Sequence, residues 1–439
     1  MNNYTQSAIN NNNASTYALG LNNPREIAID AVGHRLFLVD ALNNRVLIYN
    51  LDSNNHLIDK TPDFVLGQSN FTTNTSEASN SKFSAGGARW LAYDQANNRL
   101  FVCDIIYNRV LVFDVASITN GEIAVNVLGQ PDFATVSEGT SSTKLYNPAG
   151  IDYDPVGNRL FVAEDNNHRV VVFDTALITN GEAAVNVLGQ ANFISNVIAP
   201  VSAASIDTPT DLLYDSVNKR LYVSDEVTNR ILVFDLTTIT NGESAVSVLG
   251  QINFANSGAA TTQAGLSGPR AMTLNPCSQR LFVADNGNRR IMVFDVATVT
   301  IGEGAVNVLG QANFTTNTAA TTQTGSTGSD CYFDVTTGKL YVSNGTNNRV
   351  LIFGLDTSAV VTHATCNSSG AINITAAGGN APYTYNWGGG ITTEDRTNLI
   401  GGIYTVTVTD NCGAKNTVAF TVAGPTSSTD TDSDGLYDE

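Results

Sequence analysis

Short apolar runs bounded by Asn, Gly and Asp recur along the chain at intervals of about sixty residues. NNRVLIYN, YNRVLVFD, NHRVVVFD, TNRILVFD, NRRIMVFD and NNRVLIFG place arginines at 45, 109, 169, 230, 290 and 349, so the spacings are 64, 60, 61, 60 and 59. Each run follows a second one (HRLFLVD, NRLFVCD, NRLFVAE, KRLYVSD, QRLFVAD, GKLYVSN) and a third (PREIAID, ARWLAYD, PAGIDYD, PTDLLYD, PRAMTLN, SDCYFD). Five of the six units then end in VLGQ, with glycines at 67, 129, 189, 250 and 310. Runs this short, rich in Val, Ile, Leu, Phe and Tyr, predict strands. Their near-continuous apolar character predicts sheets covered on both faces. Four strands per unit, six times over and with no helical period, predict an all-β chain: a six-bladed β-propeller over residues 1–355. The sixth unit lacks VLGQ after Phe353, while TYALG at 16–20 precedes the first unit. Residues 14–20 are therefore expected to add the outer strand of blade six, closing the ring and covering a sheet edge.

The D-x-x-x-N-R-[VI] hairpins, the N-x-R-L strands and the P-x-x-[IL] starts resemble the NHL-repeat propellers over about residues 14–355. The resemblance implies the fold and little chemistry, because such propellers include lyases, lactonase-like enzymes, sensor domains and scaffolds.

Beyond Phe353 the period stops. A connector is expected at 356–365, followed over 366–424 by INITAAG, YTYNW, IYTVTVTD and TVAFTVAG, which alternate apolar and polar positions. That alternation between Gly-rich turns predicts a small immunoglobulin-like β-sandwich. GGNAPYTYNW and GGIYTVTVTD resemble the SprB-type repeat of bacterial gliding and adhesion proteins. Cys366 and Cys412 bracket this module, and a disulfide between them would suit an extracellular setting; two free thiols are the alternative. The remainder, 425–439, carries Asp430, Asp432, Asp434, Gly435, Leu436 and Asp438. This spacing resembles the calcium loop of thrombospondin type 3 repeats, with alternating carboxylates and the Leu436 carbonyl as oxygen ligands. Calcium is the expected cofactor there, and a disordered acidic tail is the alternative.

Charge narrows the partners. The 439 residues hold 22 Lys and Arg against 40 Asp and Glu, a net charge of −18. Phosphate backbones and anionic lipid repel such a chain, so no nucleic-acid partner is expected. No apolar run reaches the roughly 18 residues that span a bilayer, so no membrane insertion is expected. The N-terminus has neither a basic start nor an apolar h-region, so no signal peptide is visible. Charged residues are only 14 % of the chain, and Asn, Thr, Ser and Gly supply the polarity.

Internal repetition separates scaffold from site. The acid five residues before each repeated arginine (Asp40, Asp104, Glu164, Asp225, Asp285) recurs in every unit but the last, and is expected to hold the hairpin turn. The second basic column (Arg35, Arg99, Arg159, Arg220, Arg280, Lys339) is expected to be scaffold or solvated. Columns at the start of the inner strand vary instead. One holds Glu26, Trp90, Gly150, Asp211, Ala271 and Asp330, and the other Arg25, Arg89, Ala149, Thr210, Arg270 and Ser329. Arg25, Glu26, Arg89, Trp90, Asp211, Arg270 and Asp330 are the candidate ligand-binding residues, at the mouth of a central channel. A bare solvent-filled mouth is the alternative. The long charge-poor loops before each inner strand suit a glycan or a protein, through hydroxyls and amides. His34, His56, His168 and His363 share no column, and no nucleophile elbow, phosphate loop or zinc spacing occurs. The expected role is therefore non-enzymatic binding by a secreted or cell-surface protein, in adhesion or surface assembly, with self-assembly an option. A metal-dependent hydrolase or lyase using Glu26, Asp211 and Asp330 is the rival.

Overall fold

The computed structural model describes residues 20–53, 55–319, 330–344 and 349–424. The closing strand expected at 14–20 and the calcium motif of Asp430, Asp432, Asp434, Leu436 and Asp438 lie outside the described residues.

The chain is all-β. Five four-stranded antiparallel sheets follow one another, each strand pairing with the next in sequence. The first sheet runs Pro24–Asp30, Arg35–Asp40, Arg45–Asn50 and Phe64–Leu66; the second Ala88–Asp94, Arg99–Asp104, Arg109–Asp114 and Asn126–Leu128. The third begins at Pro148–Asp154, the fourth at Pro209–Asp215 and the fifth at Pro269–Asn275. Asp330–Asp334, Lys339–Asn344 and Arg349–Phe353 form a sixth, three-stranded sheet. Among the described residues no helix is long and apolar enough to cross a membrane.

The hydrophobic pattern explains how consecutive sheets stack. Along Arg99–Asp104, Leu100 and Val102 join Phe37 and Val46 of the first sheet in one buried cluster, while Phe101 and Cys103 join Leu160 and Val171 of the third. Period-two alternation thus sends successive side chains into two different cores. The same holds at Phe161 and Tyr222, which face the fourth and fifth sheets.

Turn chemistry fixes the register. Asn44, Asn108, His168, Asn229 and Arg289 have φ between 52° and 56°, the left-handed region that Asn tolerates better than most side chains. That turn sets each repeated acid opposite its arginine, as in the pairs Asp40↔Arg45 and Asp104↔Arg109.

The chain clusters into two compact units, with Asn275–Arg280, Cys331–Ser343 and Val350–Glu439 forming the second. Within it, Asp356–Thr362, Gly370–Ala377 and Arg396–Leu399 make one three-stranded sheet, and Thr384–Asn386, Gly402–Thr409 and Lys415–Val422 make another. Ile372, Ile374, Leu399, Val406, Val408 and Val422 from both sheets share one small core.

Two expectations are corrected in this unit. The segment 356–365 is not merely a connector, since Asp356–Thr362 pairs along its whole length with Gly370–Ala377. Its Thr, Ala and Val alternate as a half-buried strand does. Nor does Cys412 bond to Cys366: its partner is Cys277, at a Cα–Cα distance of 5.8 Å, and Cys366 is free and exposed. The turn carrying Cys366 lies by the far end of Lys415–Val422, where the Ala364 N–H donates to the Ala423 carbonyl at 3.0 Å. Cys412 precedes the near end of that eight-residue strand, about 26 Å away at the usual rise per residue. A disulfide spans less than about 7 Å between Cα atoms. Cys277 lies in the turn after Asn275, a position the spacing of cysteines gave no reason to favour.

Candidate functional site

The invariant columns are structural. Arg45, Arg109, Arg169, Arg230 and Arg290 are fully buried. Arg109 shows the pattern: Nε donates to Asp104 Oδ2 at 3.0 Å, and its terminal nitrogens donate to the Phe133 carbonyl at 2.7 Å and the Lys82 carbonyl at 2.9 Å. Each such arginine therefore ties its own hairpin to the loop before it and the loop after it. The acid does more than hold its turn. It accepts backbone N–H groups some 18 residues upstream, from Asn22 to Asp40 at 2.7 Å and from Tyr146 to Glu164 at 2.8 Å. Burial raises the pKa of Asp40, Asp104, Glu164 and Asp285, while the arginine and these donors pull it back. The VLGQ glutamine latches the same loops. Gln130 Nε2 donates to the carbonyls of Asn108 and Ser137 at 2.9 Å, and Gln68, Gln190 and Gln251 repeat the arrangement.

The second arginine column is scaffold rather than solvated. Arg99 binds Asp94 Oδ2 through Nε and Nη2 at 2.9 and 2.6 Å and reaches the Thr175 carbonyl of the next sheet at 2.6 Å. Arg35, Arg159 and Arg220 likewise reach Val115, Leu236 and Val296.

The variable columns sit where the inner strands depart from regular pairing. Pro24 pairs with Asp40 and Ile27 with Leu38, so Arg25 and Glu26 together face one partner residue. Ala88 pairs with Asp104 and Leu91 with Val102, so Arg89 and Trp90 do the same. In the fourth sheet the extra residue is Thr210, just before Asp211. A bulge of this kind re-aims side chains out of the ladder, often beside functional sites.

Glu26 and Asp211, at two of these bulges, act electrostatically on other acids. Burial, then the Asp330 carboxylate, pushes Glu26 up to about 8, with Asp152 adding to the effect. Burial, then Glu26 and Asp330, pushes Asp211 well above the carboxylate range. Asp152 rises to about 6 through burial, against N–H groups of Tyr214 and Tyr153 that favour its charged form. Glu26 and Asp211, on the first strands of the first and fourth sheets, thus repel each other and Asp330, and Glu26 also feels Asp152. Two of these acids also stitch sheets: Asp152 Oδ2 accepts the Tyr214 N–H at 2.6 Å, and Asp211 Oδ2 that of Met272 at 2.8 Å. Asp152 is absent from the sequence-derived set. Its signal was available, because its column reads Ala28, Ala92, Asp152, Leu213, Thr273 and Tyr332. Among the described residues no three His, Cys, Asp or Glu side chains are grouped to hold a metal ion.

The remaining expected residues have other surroundings. Arg270 pairs with Glu226 at 2.8 Å on the surface. Trp90 is turned against the buried core between the second and third sheets. Arg25 is exposed and Arg89 half-buried. His168 occupies a left-handed turn position and lies 3.4 Å from the Asp207 carboxylate.

In sequence, residues 145–173 match the NHL repeat. The chain is similar to NHL repeat-containing protein 2 of Gallus gallus, with 28 % identity over 160 residues, 34 % of this chain and 20 % of that protein. It thus spans about a fifth of the length of that curated relative. Among solved structures it aligns with a chain of a nidogen/laminin complex (16 % identity, TM-score 0.38, 64 % of this chain and 78 % of that one). It also aligns with a chain of Kuenenia stuttgartiensis hydrazine synthase (12 % identity, TM-score 0.43, 76 % and 95 %).

Proposed function

We propose that the chain is a six-bladed NHL-type propeller followed by an immunoglobulin-like, SprB-type module and a calcium-binding tail. It serves as a non-enzymatic binding platform of a secreted or cell-surface protein, in adhesion or surface assembly. One observation carries the platform reading: the buried polar groups are spent on holding loops still. Every buried arginine and VLGQ glutamine described above ends on loop carbonyls, so small polar loops are presented in fixed positions. Preorganised loops lose less conformational entropy on binding a protein or glycan. The NHL match at 145–173 and the repeat around it support the propeller. The shared core of the two C-terminal sheets supports the sandwich. The Cys277–Cys412 bridge supports an oxidising, extracellular setting.

The test is a binding screen of the whole chain, immobilised through its N-terminus, against a glycan array and against extracellular protein extracts. Saturable capture of a defined glycan or protein without its chemical change supports the platform. Turnover of a captured ligand that is lost in Glu26→Gln and Asp211→Asn would replace it with the hydrolase or lyase reading.

A further inference from the structure

Arg25 and Arg89 occupy equivalent bulge positions in the first strands of neighbouring sheets. Among the described residues neither enters a salt bridge, although the chain carries 18 net negative charges. Arg89 Nε makes one long bond, 3.3 Å, to the Gly86 carbonyl, which leaves its terminal NH2 groups open. Burial and the positive charge of Arg25 both lower the pKa of Arg89, so the two guanidiniums lie close enough to repel.

Aliphatic side chains flank them. Leu42, 46 % exposed, tops the first sheet's turn, and its N–H donates to Asn22 just ahead of Pro24 and Arg25. A Cβ placed on Gly86 would stand 3.0 Å from Leu42 Cδ2, so Leu42 bridges the starts of both strands. Ile106, 53 % exposed, tops the next turn, anchored by the Ile105 N–H to the Gly87 carbonyl at 3.0 Å. The third, fourth and fifth sheets lack this combination. Position 149 is a buried alanine, 210 a threonine, and Arg270 is already paired with Glu226.

We propose that the rim of Arg25, Arg89, Leu42 and Ile106 docks an acidic peptide segment, whose carboxylate bridges the two guanidiniums while a neighbouring apolar side chain lies on Leu42 and Ile106. Two unpaired guanidiniums match a carboxylate in charge and fork geometry. Exposed aliphatic rather than aromatic side chains favour a peptide over a sugar ring, because Trp90 faces the core. The proposal rests on the platform reading and gives it a partner of defined chemistry.

The experiment titrates the full chain, in EDTA, into a fluorescein-labelled ten-residue peptide of alternating aspartate and leucine, read by anisotropy. Saturable binding is expected, with Kd roughly 10⁻⁵–10⁻⁴ M. It should weaken at least about tenfold in Arg25→Gln/Arg89→Gln, about threefold in Leu42→Ser, and steeply as salt screens the contact. The asparagine–leucine version of the peptide should not bind. Unchanged thermal melts establish that the variants fold. Equal affinity in Arg25→Gln/Arg89→Gln, or no saturable binding to the wild-type chain, overturns the proposal. Arginine-dependent binding of a uronate oligosaccharide, with none of the peptide, overturns the peptide assignment and leaves the platform standing. A platform that fails its own screen captures neither protein nor glycan.

Discussion

Replacing Arg109 by methionine removes the charge while keeping most of the side-chain volume. Three hydrogen bonds go with it, to Asp104, Phe133 and Lys82, and Asp104 is left buried beside Ser84 with no cation. Removing one partner of a buried ion pair costs about 3–5 kcal/mol, most of it from the stranded charge. Against a total stability of about 5–15 kcal/mol this is severe. In urea the midpoint of Arg109→Met should fall by roughly 1–2 M, given slopes of a few kcal/mol per molar. The cause can be isolated in two ways. The double variant Asp104→Asn/Arg109→Met should recover at least half of the loss, since no charge is stranded. The loss should also depend on pH. Burial already raises Asp104 in the native state, and without Arg109 it rises further. A carboxyl whose folded pKa exceeds its unfolded value stabilises below the unfolded value and loses that contribution as pH rises through the folded one. The deficit of Arg109→Met should therefore be smallest near pH 4 and largest above neutrality. A loss below about 1 kcal/mol, or one independent of pH, would refute the idea that these arginines are buried staples.

Glu26, held at about 8 in the folded chain, makes stability fall as pH rises from its unfolded value of 4.5. A rise from 4.5 to about 8, at about 1.4 kcal/mol per pH unit, is worth at most roughly 5 kcal/mol, and Glu26 is only half-buried. Glu26→Gln should therefore raise stability by roughly 2–5 kcal/mol at pH 8.5 and leave it unchanged at pH 4, as seen in thermal melts at the two pH values. Gly67→Ala should lose about 2–3 kcal/mol in urea unfolding, because φ is +79° and the new Cβ would stand 2.3 Å from the Phe83 ring. Gly258→Ala, with nothing within 4 Å, should cost little. Non-reducing peptide mapping should recover Cys277 linked to Cys412. Exposed Cys366 should alkylate in the native chain, and buried Cys103 and Cys331 only after unfolding.

The repeats were legible because one physical demand recurs in each unit. A left-handed turn wants Asn, a buried arginine wants an acid, and a doubly covered strand wants an unbroken apolar run. Copies at a fixed period turn weak local signals into a strong one, and the scaffold role of Asp40 and Arg45 followed from the same repetition. What escaped depends on single copies or on distance. Asp152 was hidden inside an apolar strand, and its partner Tyr214 lies 62 residues on. The bulges at Arg25 and Arg89 leave no mark in hydrophobic periodicity, because they shift pairing without changing composition. Cysteine pairing failed for a related reason. Bracketing in sequence suggested Cys366, whereas strand length decides which turns share an end of a sheet.

Because Cys277 and Cys412 are joined across 135 residues, the bridge defines a route for mechanical load. A pull applied beyond Cys412 leaves the backbone at the sulfur atoms and re-enters it at Cys277. Residues 278–411 lie inside a closed covalent loop and bear no tension. They can unfold thermally but cannot be drawn out, so the chain under force has a fixed length there. Reducing the bond puts those residues back in line and adds about 450 Å of extensible chain. Single-molecule extension with and without reductant reads that difference directly, as a step in contour length.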